Sequence, residues 1–271
     1  MSELHPPQIN RKLEIQLWWF TAFMIAVNVG LFAWQVLHGM DISNPSTADA
    51  IHWGADYAPL SFLAEPVRLF TSMFFHFGII HLMLNMWALY IFGSIAEQML
   101  GRVYFIGLYF LTGLSGSLLS GYISIQDSYE LIRIGEANRA LLPSVGAGAS
   151  GAVMGIGAAL TVLSLFPVLP QQRFLLDKKT LLTVMGINLA MGFMISGINN
   201  AAHIGGMIMG AFLAAIWYAG AKMQRSALVN PISLLIGAAL CWFAYQYCLS
   251  LVVYIQPLWQ ELVNMMNNSI R

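Results

Sequence analysis

Residues 231–255 read PISLLIGAALCWFAYQYCLSLVVYI, an apolar run without one charged side chain. About 20 apolar residues suffice to cross the roughly 30 Å hydrocarbon core of a bilayer. Lipid offers the backbone no hydrogen-bond partners, so such a run predicts a transmembrane helix. The whole chain agrees, because 58% of its 271 residues are hydrophobic and only 9% are charged. A soluble domain carries about 25% charged residues, so this composition predicts a membrane protein and excludes disorder, coiled coil and nucleic-acid binding.

Six further apolar runs have the length of a membrane span. The first is too long for the apolar part of a signal peptide and is expected to remain in the protein. We therefore predict an all-α polytopic membrane protein with seven transmembrane helices. The predicted spans are 17–38, 75–97, 103–124, 146–166, 180–198, 201–221 and 231–255.

Basic residues are distributed unequally between the two sets of connecting segments. With the N-terminus inside, the inner segments hold eight Lys and Arg residues and the outer segments four. This excess predicts a cytoplasmic N-terminus by the positive-inside rule. The inner residues are Arg11, Lys12, Arg102, Arg173, Lys178, Lys179, Lys222 and Arg225, and the outer residues are Arg68, Arg133, Arg139 and Arg271.

A few polar residues lie inside the predicted spans, where each is unfavourable unless it has a role. HLMLN at 81–85 places His81 and Asn85 on one helix face, since residues four apart share a face. GAGASGAVMGIG at 146–157 contains Ser150, and HIGGMIMG at 203–210 begins with His203. All three spans enter the membrane from the outer side, so these residues are expected at one depth, about 5–10 Å below the surface.

This set of side chains fits nucleophilic catalysis. A serine hydroxyl attacks a carbonyl only when a base takes its proton, and His203 is the base we expect for Ser150. The resulting oxyanion needs donors, which the Asn85 amide, a His81 ring N–H and the Ser150 backbone N–H would supply. No carboxylate is expected at this depth, so the pair would be a dyad. Two GxxxG patterns, at Gly151 and Gly155 and at Gly206 and Gly210, would let the two helices approach closely.

Other interpretations of the same residues remain open. Taken alone, Ser150 would also fit helix packing, and His203 would also fit a proton relay. A membrane binder or dislocation factor without catalysis could use the same cavity. A transporter is disfavoured, because the polar residues stay at one depth. His76 and His81 are poorly spaced for a shared metal and no HExxH is present, so we predict neither a metal nor a cofactor.

From about Glu65 to Ala221 the chain resembles the rhomboid family of intramembrane serine proteases. The resemblance is carried by HLMLN at 81–85, GASG at 148–151 and HIGGMIMG at 203–210, in that order. Glu97, Gly101 and Tyr109 also resemble the family's pattern after the second span, and Arg68 resembles the arginine of its first-loop Trp-Arg element.

The resemblance implies a six-helix rhomboid-like core, to which this chain adds a seventh C-terminal transmembrane helix. It implies Ser150 as the nucleophile, His203 as the base, and His81, Asn85 and the Ser150 backbone as the oxyanion site. Site-supporting positions would be Gly148, Met154, Asn200 and Gly206. Met154 stands where the family often has an aromatic residue, and Val67 where it has the tryptophan.

The resemblance also implies the partners and the location. Substrates would be proteins with transmembrane helices, cut near the outer surface, and the other partner would be the lipid bilayer. We expect a bacterial inner membrane with the active site open to the outer side. The expected segments are a cytoplasmic segment 1–16, a protease core 17–221, a linker and extra helix 222–256, and a tail 257–271.

Overall fold

The computed structural model describes residues 17–136, 138–167, 178–194 and 199–270. The predicted cytoplasmic segment 1–16 and Arg271 lie outside these residues. The described chain is almost entirely helical and contains one two-stranded sheet. Its helices are α1 (Trp19–Leu37), α2 (Thr47–His52), α3 (Ala58–Leu63), α4 (Arg68–Thr71), α5 (Ile79–Leu100), α6 (Arg102–Ile134), α7 (Ser150–Leu165), α8 (Lys178–Met194), α9 (Asn200–Lys222) and α10 (Ser226–Ile270).

Seven of these helices correspond in order to the seven predicted spans. Among the described residues, α1, α5, α6, α9 and α10 are each long and apolar enough to cross a membrane. The helices α7 and α8 are shorter, with 16 and 17 residues. The all-α polytopic fold predicted from hydropathy is therefore confirmed.

The helix α6 is longer than its predicted span of 103–124. Polar residues such as Asp127 and Glu130 end the apolar run on which the prediction was based, but they do not end the helix. The helix continues to Ile134 and stops at Gly135, which has φ of 69°. A left-handed glycine is the usual C-terminal stop of a helix.

The helix α10 also differs from its prediction, which placed a boundary between the span and a tail at 256/257. The structure shows one helix of 45 residues that contains both Pro231 and Pro257. Proline removes one backbone donor and bends a helix without always ending it. At 1.5 Å per residue α10 is about 67 Å long, which is roughly twice the thickness of the hydrocarbon core.

The helix α7 lies at the centre of the bundle and packs closely against α9. A Cβ atom added at Gly206 would overlap the carbonyl oxygen of Gly151, and one added at Gly210 would overlap the carbonyl oxygen of Gly155. Only glycine permits this distance between the two backbones. The close approach predicted from the two GxxxG patterns is therefore confirmed.

The segment between α1 and α5, which we call the first loop, is folded rather than free. Its strand β1 (Asp56–Tyr57) pairs in antiparallel fashion with β2 (Val145–Gly146), just before α7. The Arg68 guanidinium holds the loop together, because Nη1 donates to the carbonyl oxygens of Ile51 at 2.8 Å and Ala55 at 3.1 Å. We call the end of the bundle that carries the first loop and β2 the loop side.

The opposite end of the bundle is fixed by a buried acid on α5. Glu97 is 2% exposed and accepts hydrogen bonds from the backbone N–H groups of Phe20 at 3.1 Å and Thr21 at 2.8 Å. These are N–H groups of the first turn of α1, which have no acceptor within their own helix. The carboxylate of one span thus caps the N-terminus of another.

Candidate active site

Ser150 and His203 meet at the loop side, where α7 and α9 begin. Ser150 is the first residue of α7, and His203 lies one turn into α9. The Nε2 atom of His203 is 2.7 Å from Oγ of Ser150, and the two residues are only 1% and 6% exposed. The glycine contacts between the helices allow this distance, because they bring the two backbones together one turn further along.

The hydrogen bond indicates how the His203 ring is protonated. When the serine hydroxyl donates to Nε2, a neutral ring carries its hydrogen on Nδ1. Nδ1 is buried and has no hydrogen-bond partner among the described residues. In this part of the chain the arrangement is therefore a pair, without the carboxylate that orients the histidine in a triad.

His81 provides a hydrogen-bond donor beside Ser150. Its Nδ1 atom accepts a hydrogen bond from the backbone N–H of Phe77 at 3.2 Å, so the hydrogen of the neutral ring is on Nε2. That Nε2 atom is buried and has no partner in the described part of the protein. A Cβ added at Gly148 would lie 2.9 Å from His81 Nε2 and 3.7 Å from Ser150 Oγ. The space that the glycine leaves open is therefore shared by the His81 donor and the serine oxygen.

Asn85 lies one turn after His81 on α5 and is 1% exposed. Its Nδ2 atom donates to the backbone carbonyl oxygen of His81 at 3.0 Å. An amide NH₂ group has two hydrogens, so one N–H remains for a further acceptor. The same bond fixes the amide relative to the His81 ring.

The turn that leads into Ser150 is fixed by residues of the first loop. The Gly148 N–H donates to the carbonyl oxygen of Ser72 at 2.8 Å, and Gly148 has φ of 121°, which side chains rarely allow. The Ala149 N–H lies 3.4 Å from Nε2 of His76. The two preceding N–H groups are engaged, whereas the Ser150 N–H, at the first position of α7, is one of the first-turn donors that have no intrahelical acceptor.

His76 is a site residue that the sequence analysis did not identify. It is fully buried, and its ring centroid lies 5.2 Å from that of His81. Helical spacing placed the two rings on different faces, but α5 begins only at Ile79, after Gly78 with φ of 88°. The glycine was the available signal, because it marks a turn before the helix.

A small cavity of about 30 Å³, lined by both polar and apolar residues, lies beside Ser150. Its volume is that of one or two water positions. The walls come from the first loop, from α6 and from the starts of α7 and α9, and they include Asp56, Ser72, Ser117, Ser120, Gly148 and Asn199.

The acid in this wall, Asp56, is 6% exposed and accepts a hydrogen bond of 2.5 Å from the Ser61 hydroxyl. Burial raises the pKa of the Asp56 carboxyl to about 6, although the Ser61 bond and the Arg68 charge oppose the shift. A carboxyl that changes charge near neutral pH therefore lies on the cavity that adjoins Ser150.

The two asparagines before His203 have different places. Asn199 lines the cavity and caps α9, because its Oδ1 accepts from the Ala201 N–H at 2.8 Å and its Nδ2 donates to Ser120 Oγ at 2.6 Å. The side chain of Asn200, the position expected from the sequence, lies against Gly192 of α8. Asn199 is thus the residue that ties the start of the His203 helix to α6.

The remaining predicted positions lie deeper. Met154 is fully buried on α7, one turn after Ser150. Gly206 belongs to the α7–α9 contact described above. Both residues are buried about one turn further along their helices than Ser150 and His203.

A bundle of membrane-spanning helices with a serine and a histidine paired inside it is the architecture of an intramembrane protease family. Residues 63–220 match the family model described as the Rhomboid domain, which is more than half of the chain. The chain belongs to the rhomboid family and is a multi-pass integral membrane protein.

Named relatives agree with this assignment. The chain is 32% identical over 197 residues to the Rhomboid protease GluP of Bacillus subtilis, covering 72% of this chain and 34% of that protein. It is 28% identical over 208 residues to the Rhomboid protease AarA of Providencia stuartii, covering 72% of this chain and 70% of that protein. It is also 33% identical to the mitochondrial RHOMBOID-like protein 6 of Arabidopsis thaliana over 68% of this chain and 55% of that protein. The chain thus spans about a third of the Bacillus relative and over half of the other two.

Proposed function

We propose that this protein is an intramembrane serine endopeptidase that hydrolyses peptide bonds in or next to the transmembrane helices of membrane-protein substrates. The observation that carries the proposal is the 2.7 Å contact between His203 Nε2 and Ser150 Oγ. A hydroxyl in that position can lose its proton to the ring as it attacks a carbonyl carbon. Membership of a family with named proteases supports the same reaction.

In the first half of the reaction, Ser150 Oγ forms a bond to the scissile carbonyl carbon and its proton passes to His203 Nε2. The carbonyl oxygen becomes an oxyanion in the space beside Gly148. The donors for it are His81 Nε2–H, the free N–H of the Asn85 amide and the Ser150 backbone N–H. Donors that are already in place stabilise the transition state without reorganisation.

The oxyanion then re-forms the carbonyl and the scissile C–N bond breaks. His203 gives its proton to the leaving amine, and the acyl group stays on Ser150 Oγ. A water molecule then attacks the ester while His203 takes its proton. The small cavity beside Ser150 has room for that water, and its wall offers hydroxyl and amide groups such as those of Ser117, Ser120 and Asn199. Hydrolysis releases the second product and restores the serine hydroxyl.

The orientation and the membrane are part of the proposal. The excess of basic residues on one set of connecting segments supports a cytoplasmic N-terminus and a loop side that faces outward. In a bacterial inner membrane, the Ser150–His203 pair would then be open to water from the outer side. Substrates would be cut close to that surface.

The test is covalent labelling of Ser150 by a fluorophosphonate, together with cleavage of a model single-span substrate in proteoliposomes. The wild type should do both, and Ser150→Ala should do neither. Ser164→Ala is the matched control, because Ser164 is a buried serine of the same helix that bonds to the Thr161 carbonyl. Ser164→Ala should be labelled by the probe and should cleave the substrate as the wild type does.

Undiminished cleavage by Ser150→Ala would overturn the proposal. A wild type that binds the substrate but neither labels nor cleaves would instead identify a helix-binding protein without catalysis. The probe decides between the two, because only an activated serine reacts with it.

A further inference from the structure

A second, larger cleft opens on the loop side, next to His81. Its volume is about 630 Å³, within the range of 300–1,000 Å³ that is typical of ligand sites. The first loop contributes Ser43, Asn44, Thr47 and Tyr57, and the segment before α7 contributes Ser144 and Val145. Met266, from the last turns of α10, also lines the cleft.

The last turns of α10 are held against the first loop by a buried tryptophan. Trp259 is fully buried, and its Nε1–H donates to Ser128 Oγ of α6 at 2.9 Å. Its ring centroid lies 6.4 Å from that of Phe62 in the first loop. Trp259 follows Pro257, so this contact fixes the direction of α10 after its second proline.

Trp259, Val263 and Met266 follow each other at spacings of four and three residues, which places them on one helix face. Val263 and Met266 pack against a separate apolar cluster made of Ile51, Tyr57 and Leu60. This contact is what brings Met266 to the edge of the cleft. The neighbouring Met265 points away and is 56% exposed.

The cleft adjoins the proposed site of reaction at His81. His81 is part of its lining, and the His81 Nε2–H is a donor for the scissile carbonyl oxygen. A polypeptide whose carbonyl lies at His81 can therefore enter the cleft as it extends toward the loop side. An α-helix is about 10–12 Å wide with its side chains, so little more than one helical turn would fit in the cleft. An extended segment is narrower, and more of its residues would fit in the same volume.

The residues that line the cleft indicate which kind of segment it would bind. Of the described residues that line the cleft, none is Asp, Glu, Lys or Arg. A charged side chain would lose its hydration there without gaining a partner. The hydroxyl and amide groups of Ser43, Asn44 and Thr47 are suited to a peptide backbone, and Tyr57 and Met266 to apolar side chains.

We infer that the last turns of α10 form one wall of the substrate-binding cleft and that Met266 selects an uncharged, extended stretch of the substrate next to the scissile bond. The inference rests on the proposed function, because it places the scissile carbonyl at His81. It goes beyond the family match, because α10 lies wholly outside residues 63–220. The additional helix is thereby part of substrate recognition.

The first experiment compares two neighbouring methionines. Met266→Trp should lower kcat/KM for a single-span substrate about tenfold or more, since even one methylene too many or too few in an apolar pocket costs about 10–200-fold. The rate at which a small fluorophosphonate labels Ser150 should stay within about twofold of the wild-type rate, because this probe reacts without binding in the cleft. Met265→Trp, on the exposed face of the same turn, should match the wild type in both assays. Met266→Ala should favour substrates with bulkier side chains beside the cleavage site.

Wild-type cleavage by Met266→Trp would overturn the inference, as would equal losses for Met266→Trp and Met265→Trp. Absence of labelling and cleavage in the wild type would overturn the proposed function instead.

A binding measurement is independent of catalysis. Met266→Cys in a Ser150→Ala background should form a disulfide with a substrate cysteine placed next to the cleavage site, and Met265→Cys should not. The protein's own two cysteines, Cys241 and Cys248, are buried and unpaired. Equal cross-linking by both variants, or by neither, would contradict the placement of Met266.

Discussion

The ionisation of Asp56 depends on the fold. Its carboxyl is buried next to the small cavity, and its pKa is raised from 3.8 to about 6. The folded protein therefore binds a proton at Asp56 at a higher pH than the unfolded chain does. The stability that this proton gives is present below about pH 4 and is lost as the pH rises through 6.

Asp56→Asn removes this dependence while it keeps an oxygen that can accept the Ser61 hydrogen bond. The variant should be more stable than the wild type above pH 7, by at most about 3 kcal/mol for a pKa difference of about two units. The advantage should shrink as the pH falls from 6 to 4. Thermal unfolding in detergent between pH 4 and pH 8 measures the difference between the two proteins.

Asp41 provides a control of opposite sign. The backbone N–H groups of Asn44 and Ser43 lower the pKa of the exposed Asp41 carboxyl. Its contribution to stability is present above its unfolded pKa and is lost as the pH falls through the lower folded value. Asp41→Asn should therefore be less stable than the wild type at neutral pH. A constant difference between Asp56→Asn and the wild type at all pH values would contradict the assignment of the raised pKa.

At the scale of elements, Glu97 connects two spans by capping α1 from α5. Glu97→Gln keeps one acceptor oxygen but removes the negative charge at a helix N-terminus. We expect a loss of about 1–3 kcal/mol, because charged hydrogen bonds are stronger than neutral ones. Unfolding of the purified protein by SDS measures this loss. Glu130→Gln is the control, since Glu130 pairs with Arg133 on the surface and such pairs contribute at most about 1 kcal/mol.

The contact between α7 and α9 makes a second prediction at this scale. Gly210→Ala places a methyl group against the backbone of Gly155, so the two helices must move apart. We expect a stability loss of about 1–3 kcal/mol, which is typical of overpacking, together with slower fluorophosphonate labelling of Ser150. Both changes follow from one displacement, because α7 and α9 also carry the paired residues.

Gly186→Ala on α8 is the matched glycine control. A Cβ at Gly186 has no described atom within 4 Å, and alanine favours helix over glycine by roughly 0.5–1 kcal/mol. This variant should unfold no more easily than the wild type and label at the same rate. Equal effects of the two substitutions would show that the α7–α9 distance is not the cause.

At the scale of the whole molecule, the orientation is testable with single cysteines. In a chain with Cys241→Ala and Cys248→Ala, Glu136→Cys should react with a membrane-impermeant maleimide in intact cells. Lys222→Cys should react only after the cells are opened. The reverse result would place the loop side in the cytoplasm and overturn the proposed orientation.

Hydropathy was sufficient to predict the seven helices, because apolar length is a direct requirement of the bilayer. The position of Ser150 and His203 at the same end of the bundle followed from the alternation of the spans. The parts of α6 and α10 that extend beyond the predicted spans could not be predicted from hydropathy, since a helix in water does not need an apolar sequence. Asn199 and His76 also escaped prediction, because their roles depend on contacts between distant parts of the chain. Asn199 bonds to Ser120 of α6, and the fold of the first loop brings His76 to Ala149.

The place of Met266 in the chain also determines when the proposed cleft can form during synthesis. Ribosomes add about 5–20 residues per second, so roughly 3 to 13 s pass between the making of His203 and of Met266. During that interval a nascent molecule already contains both members of the Ser150–His203 pair but lacks one wall of its cleft. Under the two proposals, the residues for cleavage are therefore synthesised before the residue that would select the substrate segment.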